Sequence, residues 1–583
     1  MIQLQPSAAV VRTLLALLCT TGISLAGGAP LDASPARPVT GGGEVEGSVP
    51  TAATELVDIP WDRRAVEHVW NRAGFGIRDE DVDAWVEAGP RALVEYLVRP
   101  RPTVGEGAWV PYEYERLPYS AEEYNRASGD EKRELRKRRN RWYRDQFAAL
   151  REGWIESMLA GDDPLRDRMT LMWHGVFTSS LETVKRPALM IEQHNTIRSQ
   201  ALGSYSALLH AMLEDPALLV YLDNDDNRKG RPNENLAREV MELFSLGEGN
   251  YGEVDIREAA RSLTGAGVAP ALDVATYRFN PKRHDDKPKV ILGVRGNHGP
   301  ADLADILLGQ PACADYVART VVEYLEGVSA TEERVEEYAA LLRETGYDVG
   351  YLVERVLLDP RFYRDEVIGA RVASPVDFLV GSAIRLEADL PAAFIVEAAA
   401  DLGQDLFQPP NVKGWDEGLA WITTSTFMMR GNIAGALVGA VDIETLRADA
   451  SDMMEMSGGM DEAGPMTRKE KRKTEGAQVK RYEVAGLATI LRRVKYEPSS
   501  MEARVVRDAR AGSDREVVAL LTQRLLAIEP PTETLQMLEV QLRAIREKYE
   551  VEEADMPRFR RKNQRVFHEF THLVLSLPEA QLH

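Results

Sequence analysis

The sequence predicts an all-α fold: a large multi-helix globular domain with one small β-hairpin, and a helical C-terminal part that packs back on it. Three observations carry this. From residue 59 to residue 442 apolar side chains recur at the spacing of amphipathic helices. A single interval, 276–294, reads instead as short strands. Residues 481–583 return to helical periodicity, 541–552 most regularly. There is no internal repeat of the kind that builds a solenoid.

The chain opens with a polar start and one cation, Arg12, then the apolar run Leu14-Leu15-Ala16-Leu17-Leu18-Cys19, and ends this segment at Ser24-Leu25-Ala26. Small residues flanking a leucine form a signal-peptidase site, so residues 1–26 read as a secretory signal peptide. The apolar run falls short of the ~20 residues that span a bilayer. Leu18 stands where a lipoprotein wants a small residue before its cysteine, and Pro30 disfavours cleavage after Ala29. Exported protein is therefore expected to begin at Gly27, in the periplasm or outside the cell. N-terminal sequencing that returned Met1 from exported material would contradict this. Cleavage removes Arg12 and no acid, taking the formal charge from −21 to −22. So acidic a chain is soluble and a poor general partner for nucleic acid. Only Cys313 would remain, which excludes an intramolecular disulfide.

Residues 27–55, rich in Gly, Pro, Ala, Thr and Ser, read as a disordered lead. The main helical domain is placed at 56–442. In it, His68-Val69-Trp70-Asn71-Arg72-Ala73-Gly74-Phe75-Gly76 reads as a helix end and a glycine turn. Residues 81–98 form a further helix, broken at Gly89-Pro90. The stretch 131–144 is a strongly basic helix carrying Trp142 and Tyr143, a solvated charged face whose alternative is a grip on an acidic polymer. Two strands, 276–280 and 289–294, are expected to pair around the polar tip Arg283-His284-Asp285-Asp286-Lys287-Pro288. Residues 443–480 form a low-complexity linker, methionine-rich and then basic, and 481–583 form the C-terminal helical region.

The most unusual local sequence runs from Asp223-Asn224-Asp225-Asp226-Asn227 through Pro232-Asn233-Glu234-Asn235 into a helix at 233–247. Leu236, Val240, Leu243, Phe244 and Gly247 share its apolar face at ~100° per residue. Asn233 is placed as its N-cap. Asn235, Glu239 and Glu242 fall together on a flank, with Arg238 beside them. Two carboxylates and an amide could hold a hard divalent cation or exchange protons. They could equally pair with Arg257 and Arg261 of the next helix. The preceding acids also have an EF-hand-like spacing, but Arg228 occupies the position that needs glycine, and Lys229 and Arg231 repel a cation.

Here the chain resembles a family. Arg168-Met169-Thr170-Leu171-Met172-Trp173-His174-Gly175-Val176-Phe177, Asp215-Pro216-Ala217-Leu218 and Tyr221-Leu222-Asp223-Asn224 look like its successive signatures. So do Pro232-Asn233-Glu234-Asn235-Leu236-Ala237-Arg238-Glu239, Ala259-Ala260-Arg261-Ser262-Leu263-Thr264-Gly265, His284-Asp285 and Pro409-Pro410-Asn411-Val412-Lys413-Gly414-Trp415. The family is the domain of unknown function 1800 family of bacterial proteins. The resemblance spans about 60–435, with a weaker echo at Ser576-Leu577-Pro578-Glu579-Ala580-Gln581-Leu582. The sequence departs at Gly265-Ala266-Gly267, where the family commonly has Gly-Trp. The resemblance implies architecture and export rather than a reaction. It also implies, as a partner, a secreted protein similar to sulfatases and phosphatases.

A rival signal, His568-Glu569-Phe570-Thr571-His572, has the spacing of zinc peptidases, whose two histidines hold zinc while the glutamate activates its water. Val566, Phe567, Phe570, Leu573, Val574 and Leu577 form the apolar face of that helix, so His568 and His572 are expected to point to water. Position 578, where a third histidine could follow, is Pro578.

His174 beside Trp173 reads first as a packed core histidine, and His284-Asp285 as an acid–base pair or as turn chemistry. Catalytic candidates are thus His174, Arg238, His284 and Asp285. Metal candidates are Asn235, Glu239 and Glu242, then His568 and His572. Two functions follow: an exported scaffold or assembly factor acting with a secreted partner at the cell surface, or a metal-assisted hydrolase. A hydrolase centre would be either the Glu239, Glu242 and His284 group or the His568–His572 helix, and any active or binding centre is expected to gather around the 233–247 helix, approached by His174 and His284.

Overall fold

The computed structural model describes residues 59–99, 112–269, 271–272, 274–441, 487–558 and 561–583. The signal peptide, the lead and the 443–480 linker lie outside these residues. The described chain is mostly helical, as the periodicity predicts. Helix Arg63–Ala73 starts at Asp62, whose carboxylate accepts the Ala65 N–H, and stops at Gly74. Gly89, at φ +86°, separates helices Asp79–Ala88 and Pro90–Val98. The basic stretch opens the long helix Gly129–Ala160 behind a Ser128–Glu131 capping box. Its buried residues, Phe147, Leu150, Trp154, Ile155 and Met158, all lie in the C-terminal half. The basic half is largely exposed.

The strand segments form, but with other partners. Tyr277–Phe279 pairs antiparallel with Ala266–Val268, and Lys289–Ile291 with Val294–Gly296. The expected single hairpin is therefore two small ones. Gly293 at φ +82° and Leu292 at φ +48° close the second as a two-residue turn. The tip at 283–288 connects the two hairpins instead of capping one.

Two adjoining apolar clusters form the core. One joins helix Arg63–Ala73 to helices Pro311–Glu326, Glu332–Glu344 and Val349–Leu357. The other brings helix Gly129–Ala160 and helix Pro375–Arg385 together with residues 487–577. The C-terminal helices thus share one core with the main domain. Helix Arg561–Leu575 packs against Thr424–Leu437, Met501–Asp508, Asp514–Leu525 and Thr532–Lys548. Among the described residues no helix is long and apolar enough to cross a membrane.

Candidate functional site

The segments carrying the family resemblance do not all gather at one point of the 233–247 helix: 221–224 touches it through Leu222 and 409–415 through Lys413. Two of them, 168–177 and 409–415, meet at a cleft of about 650 Å³, which the 233–247 helix borders through Leu243. It is lined by the end of helix Pro164–Val176, through Leu171, Met172, Gly175 and Val176, and beside it by the loop from Val412 to Trp421. Helix Pro311–Glu326 buries Cys313, Val317, Val321 and Leu325 one turn apart and turns Tyr316, Thr320, Glu323 and Tyr324 to the cleft. Gly327, in the left-handed conformation at φ +72°, ends that helix and brings Arg371 and Ser374 to the floor.

The loop wall is held by its own chemistry. Asn411 Oδ1 accepts the Lys413 N–H at 2.8 Å, an Asx turn. The Thr178 hydroxyl donates to Val412 O at 2.7 Å, and Trp415 Nε1 to Asp405 O at 3.1 Å. Gly414, at φ +88°, lies so close to helix Pro164–Val176 that a Cβ there would stand 2.6 Å from Gly175 O. Two signatures far apart in sequence are thereby locked together.

Under the floor lies a buried ionic cluster. Arg168 and Asp377, both wholly buried, are paired, and Asp377 Oδ2 is also 3.6 Å from Arg371 Nη2 and 3.4 Å from His583 Nε2. Burial pushes the Asp377 carboxyl up, yet Arg168 and Arg371 outweigh it and hold the group well below the usual carboxylate range.

The predicted site residues are placed as follows. His174 is buried and shares a hydrogen bond with His194, Nε2 to Nδ1 at 3.0 Å, between Trp154 and Phe407. His284 Nδ1 is 2.8 Å from Thr264 O. Asp285 turns away from it: its carboxylate accepts from Arg261 Nε at 2.8 Å, and that bond, opposed by partial burial, lowers its pKa to about 2. Turn chemistry, not an acid–base pair, describes this segment. Arg238 grips Glu253 through both terminal nitrogens, at 2.9 and 3.0 Å.

The helix at 233–247 is α-helical only over Asn235–Glu239, then winds as a π-helix over Val240–Ser245. Asn233 is not its N-cap but makes an Asx turn one residue earlier, accepting from Asn235 N–H at 3.1 Å. Leu243 is only partly buried: it packs against the core and also lines the cleft. Tyr205 and Tyr316 donate to the carbonyls of Phe244 and Leu243 in this turn. Asn235 Nδ2 donates to Leu222 O at 3.2 Å. Glu242 meets Tyr251 Oη at 3.2 Å and Lys413 Nζ at 4.0 Å, while Arg257 approaches Glu234 and Arg261 binds Glu258 and Asp285. Partial burial, then the neighbouring Glu242, raises the pKa of Glu239. Among the described residues no group of three or more His, Cys, Asp or Glu side chains is placed to hold a metal ion.

His568 and His572 do not point to water. Both are buried, because helix Arg561–Leu575 is covered on nearly every side. His572 Nε2 is 3.0 Å from Gly431 O, and Glu569 pairs with Lys548 at 2.9 Å. With this geometry Glu569→Gln is expected to leave any proteolytic activity of the purified chain unchanged; its loss in a folded variant would overturn the assignment.

Burial lowers His174 to about 3, His568 to about 4 and His583 to about 3. Unfolded imidazoles titrate near 6.5, so below that pH the unfolded chain binds more protons. Each such histidine withdraws about 1.4 kcal/mol of stability per pH unit as pH falls from 6.5 toward its folded value. Buried acids act in the opposite sense: burial pushes Asp215 and Glu502 up to about 7, and the stability they lend at low pH is lost as pH rises toward 7. His174→Gln isolates one histidine. Its unfolding free energy is expected to fall about 1.4 kcal/mol per unit less steeply than wild type between pH 6 and 4.5; an unchanged slope would contradict a neutral His174.

The fold and site define a mostly helical protein whose cleft is walled by aromatic residues over a floor of buried arginines. The chain belongs to the family described as protein of unknown function (DUF1800), whose model matches residues 68–582. The family region thus includes the C-terminal helices and does not end near 435. No curated protein and no solved structure matches the chain.

Proposed function

We propose that the chain is an exported scaffold or assembly factor that holds part of a secreted partner in this cleft at the cell surface. One observation carries the reading: the segments 168–177 and 409–415 combine with Tyr316, Tyr324 and Trp421 into one groove with aromatic walls. Its volume lies in the range of ligand-binding clefts, and aromatic residues favour recognition because they bury much area for few rotatable bonds. A secreted sulfatase- or phosphatase-like protein, implied by the family resemblance, is the first partner to test. Ala420 is exposed on the wall, so Ala420→Arg blocks the cleft without touching the core. In cells exporting both proteins, that variant is expected to lower the partner's folded yield several-fold, as deletion of the chain does. A partner indifferent to both would refute the reading.

A metal-assisted hydrolase is the second reading, supported by the Glu239–Glu242 pair and the raised pKa of Glu239. Lys413 beside Glu242 opposes a cation there. Near-stoichiometric metal in the purified chain, lost in Glu239→Gln, would favour the hydrolase; metal-free protein after dialysis against zinc or calcium would favour the scaffold.

A further inference from the structure

We propose that the cleft floor binds an oxyanion, a carboxylate, phosphate or sulfate group of the ligand, with Arg371 as its direct contact and Arg72 supporting it from beneath. This rests on the reading of the cleft as a binding groove and names the chemistry recognised there.

Arg371 is held in place before any ligand arrives. Its Nη1 donates to Tyr324 O at 3.1 Å and its guanidinium lies 4.2 Å from the centre of the Tyr324 ring. Its Nη2 is 3.6 Å from Asp377, outside hydrogen-bond range, so donors remain for a ligand. Beneath it, Arg72 is wholly buried, and only its Nη2 is bound, to Val367 O at 2.8 Å. Nε and Nη1 of Arg72 have no partner, an arrangement that costs free energy unless something satisfies it. Nη1 reaches toward the cleft: a Cβ on Gly327, which lines the floor, would stand 2.7 Å from it and 2.7 Å from Arg371 Cβ. Glycine at 327 is therefore the thin cover between the buried guanidinium and the groove.

Charge points the same way. Arg72, Arg168, Arg371 and Arg430 gather around Asp377 as the shared carboxylate, while Glu326, paired with Arg334, acts on Arg72 more weakly. Burial lowers the Arg72 pKa well below its ordinary value, and the neighbouring Arg371 and Arg168 lower it further against the opposing pull of Asp377 and Glu326. Gln404 accepts the Val376 N–H through Oε1, leaving its NH₂ group as a further donor on the lining. Glu323 and Glu417 on the walls repel an anion and confine it to the floor.

The test is calorimetric titration of the full chain with sodium phosphate, sulfate and acetate, ionic strength being held with chloride. Saturable binding of at least one is expected, weakened at least tenfold in Arg371→Gln and unchanged in Lys137→Gln, on the exposed basic half of helix Gly129–Ala160. Phosphate or sulfate binding with acetate inert assigns an ester group; acetate and a short acidic peptide competing for the same site assign a polypeptide carboxylate. Should Arg371→Gln not fold, phenylglyoxal modification of Arg371 in the wild-type chain, read by mass spectrometry, is expected to slow several-fold in phosphate or sulfate against chloride. No saturable binding of any of the three, or binding and protection indifferent to Arg371, would overturn the proposal. The scaffold reading would then still stand if Ala420→Arg abolished the effect on the partner.

Discussion

Asp377→Ala is expected to destabilise the protein by about 3–5 kcal/mol, the range for removing one partner of a buried ion pair. The carboxylate is wholly buried and does three things at once. It pairs with Arg168, accepts the Ser374 N–H at 3.2 Å in the capping box that starts helix Pro375–Arg385, and faces Arg371 and His583. Without it Arg371 and the wholly buried Arg72, Arg168 and Arg430 repel one another. Urea unfolding followed by tryptophan fluorescence measures the loss. Asp377→Asn keeps a hydrogen-bond acceptor and should lose less than the alanine variant. A loss under ~1 kcal/mol for Asp377→Ala, the size of an exposed ion pair, would show that the cluster is solvated after all.

Gly414→Ala is expected to cost about 2–4 kcal/mol, the left-handed backbone contributing about 1–2 and overlap the rest. At φ +88° an L side chain is strained, and its Cβ would meet Gly175 O at 2.6 Å. That contact is with backbone, so relief requires the loop wall to move away from helix Pro164–Val176. Gly418 also has positive φ but nothing within 4 Å of an added Cβ, so Gly418→Ala carries only the backbone strain. The difference between the two variants isolates the close approach. Equal losses would mean that the two signatures are not pressed together.

The helices were legible because a core-facing stripe repeats within a few residues. Helix Arg63–Ala73 and its glycine stop follow from local sequence alone. The strands at 277–279 and 289–291 were legible as strands, but their partners were not. Three-residue strands carry too few alternating positions to specify register, and Leu292-Gly293 was the turn signal that could have paired 289–291 with 294–296. The apolar face expected over 233–247 holds for Leu236, Val240 and Phe244, but the π-turn also buries Met241, Ser245 and Leu246 and leaves Leu243 only partly buried, because a π-turn has no period of its own in the sequence. His568 and His572 were misplaced by assuming one buried face for a helix that four others surround. Of the cleft, Pro409-Pro410-Asn411-Val412-Lys413-Gly414-Trp415 was visible only as a segment of family resemblance. Its meeting with Gly175, Gly327 and Arg371 was not, since those residues come from three separate segments and no local pattern links them.

The most direct test of the cleft as the working surface is hydrogen–deuterium exchange of the full chain, alone and bound to its purified secreted partner. Protection is expected in peptides covering 316–329, 370–374 and 412–421, and it should vanish with Ala420→Arg. Protection confined to the basic stretch 131–144 or to the helix at 233–247, with the cleft peptides unchanged, would contradict it.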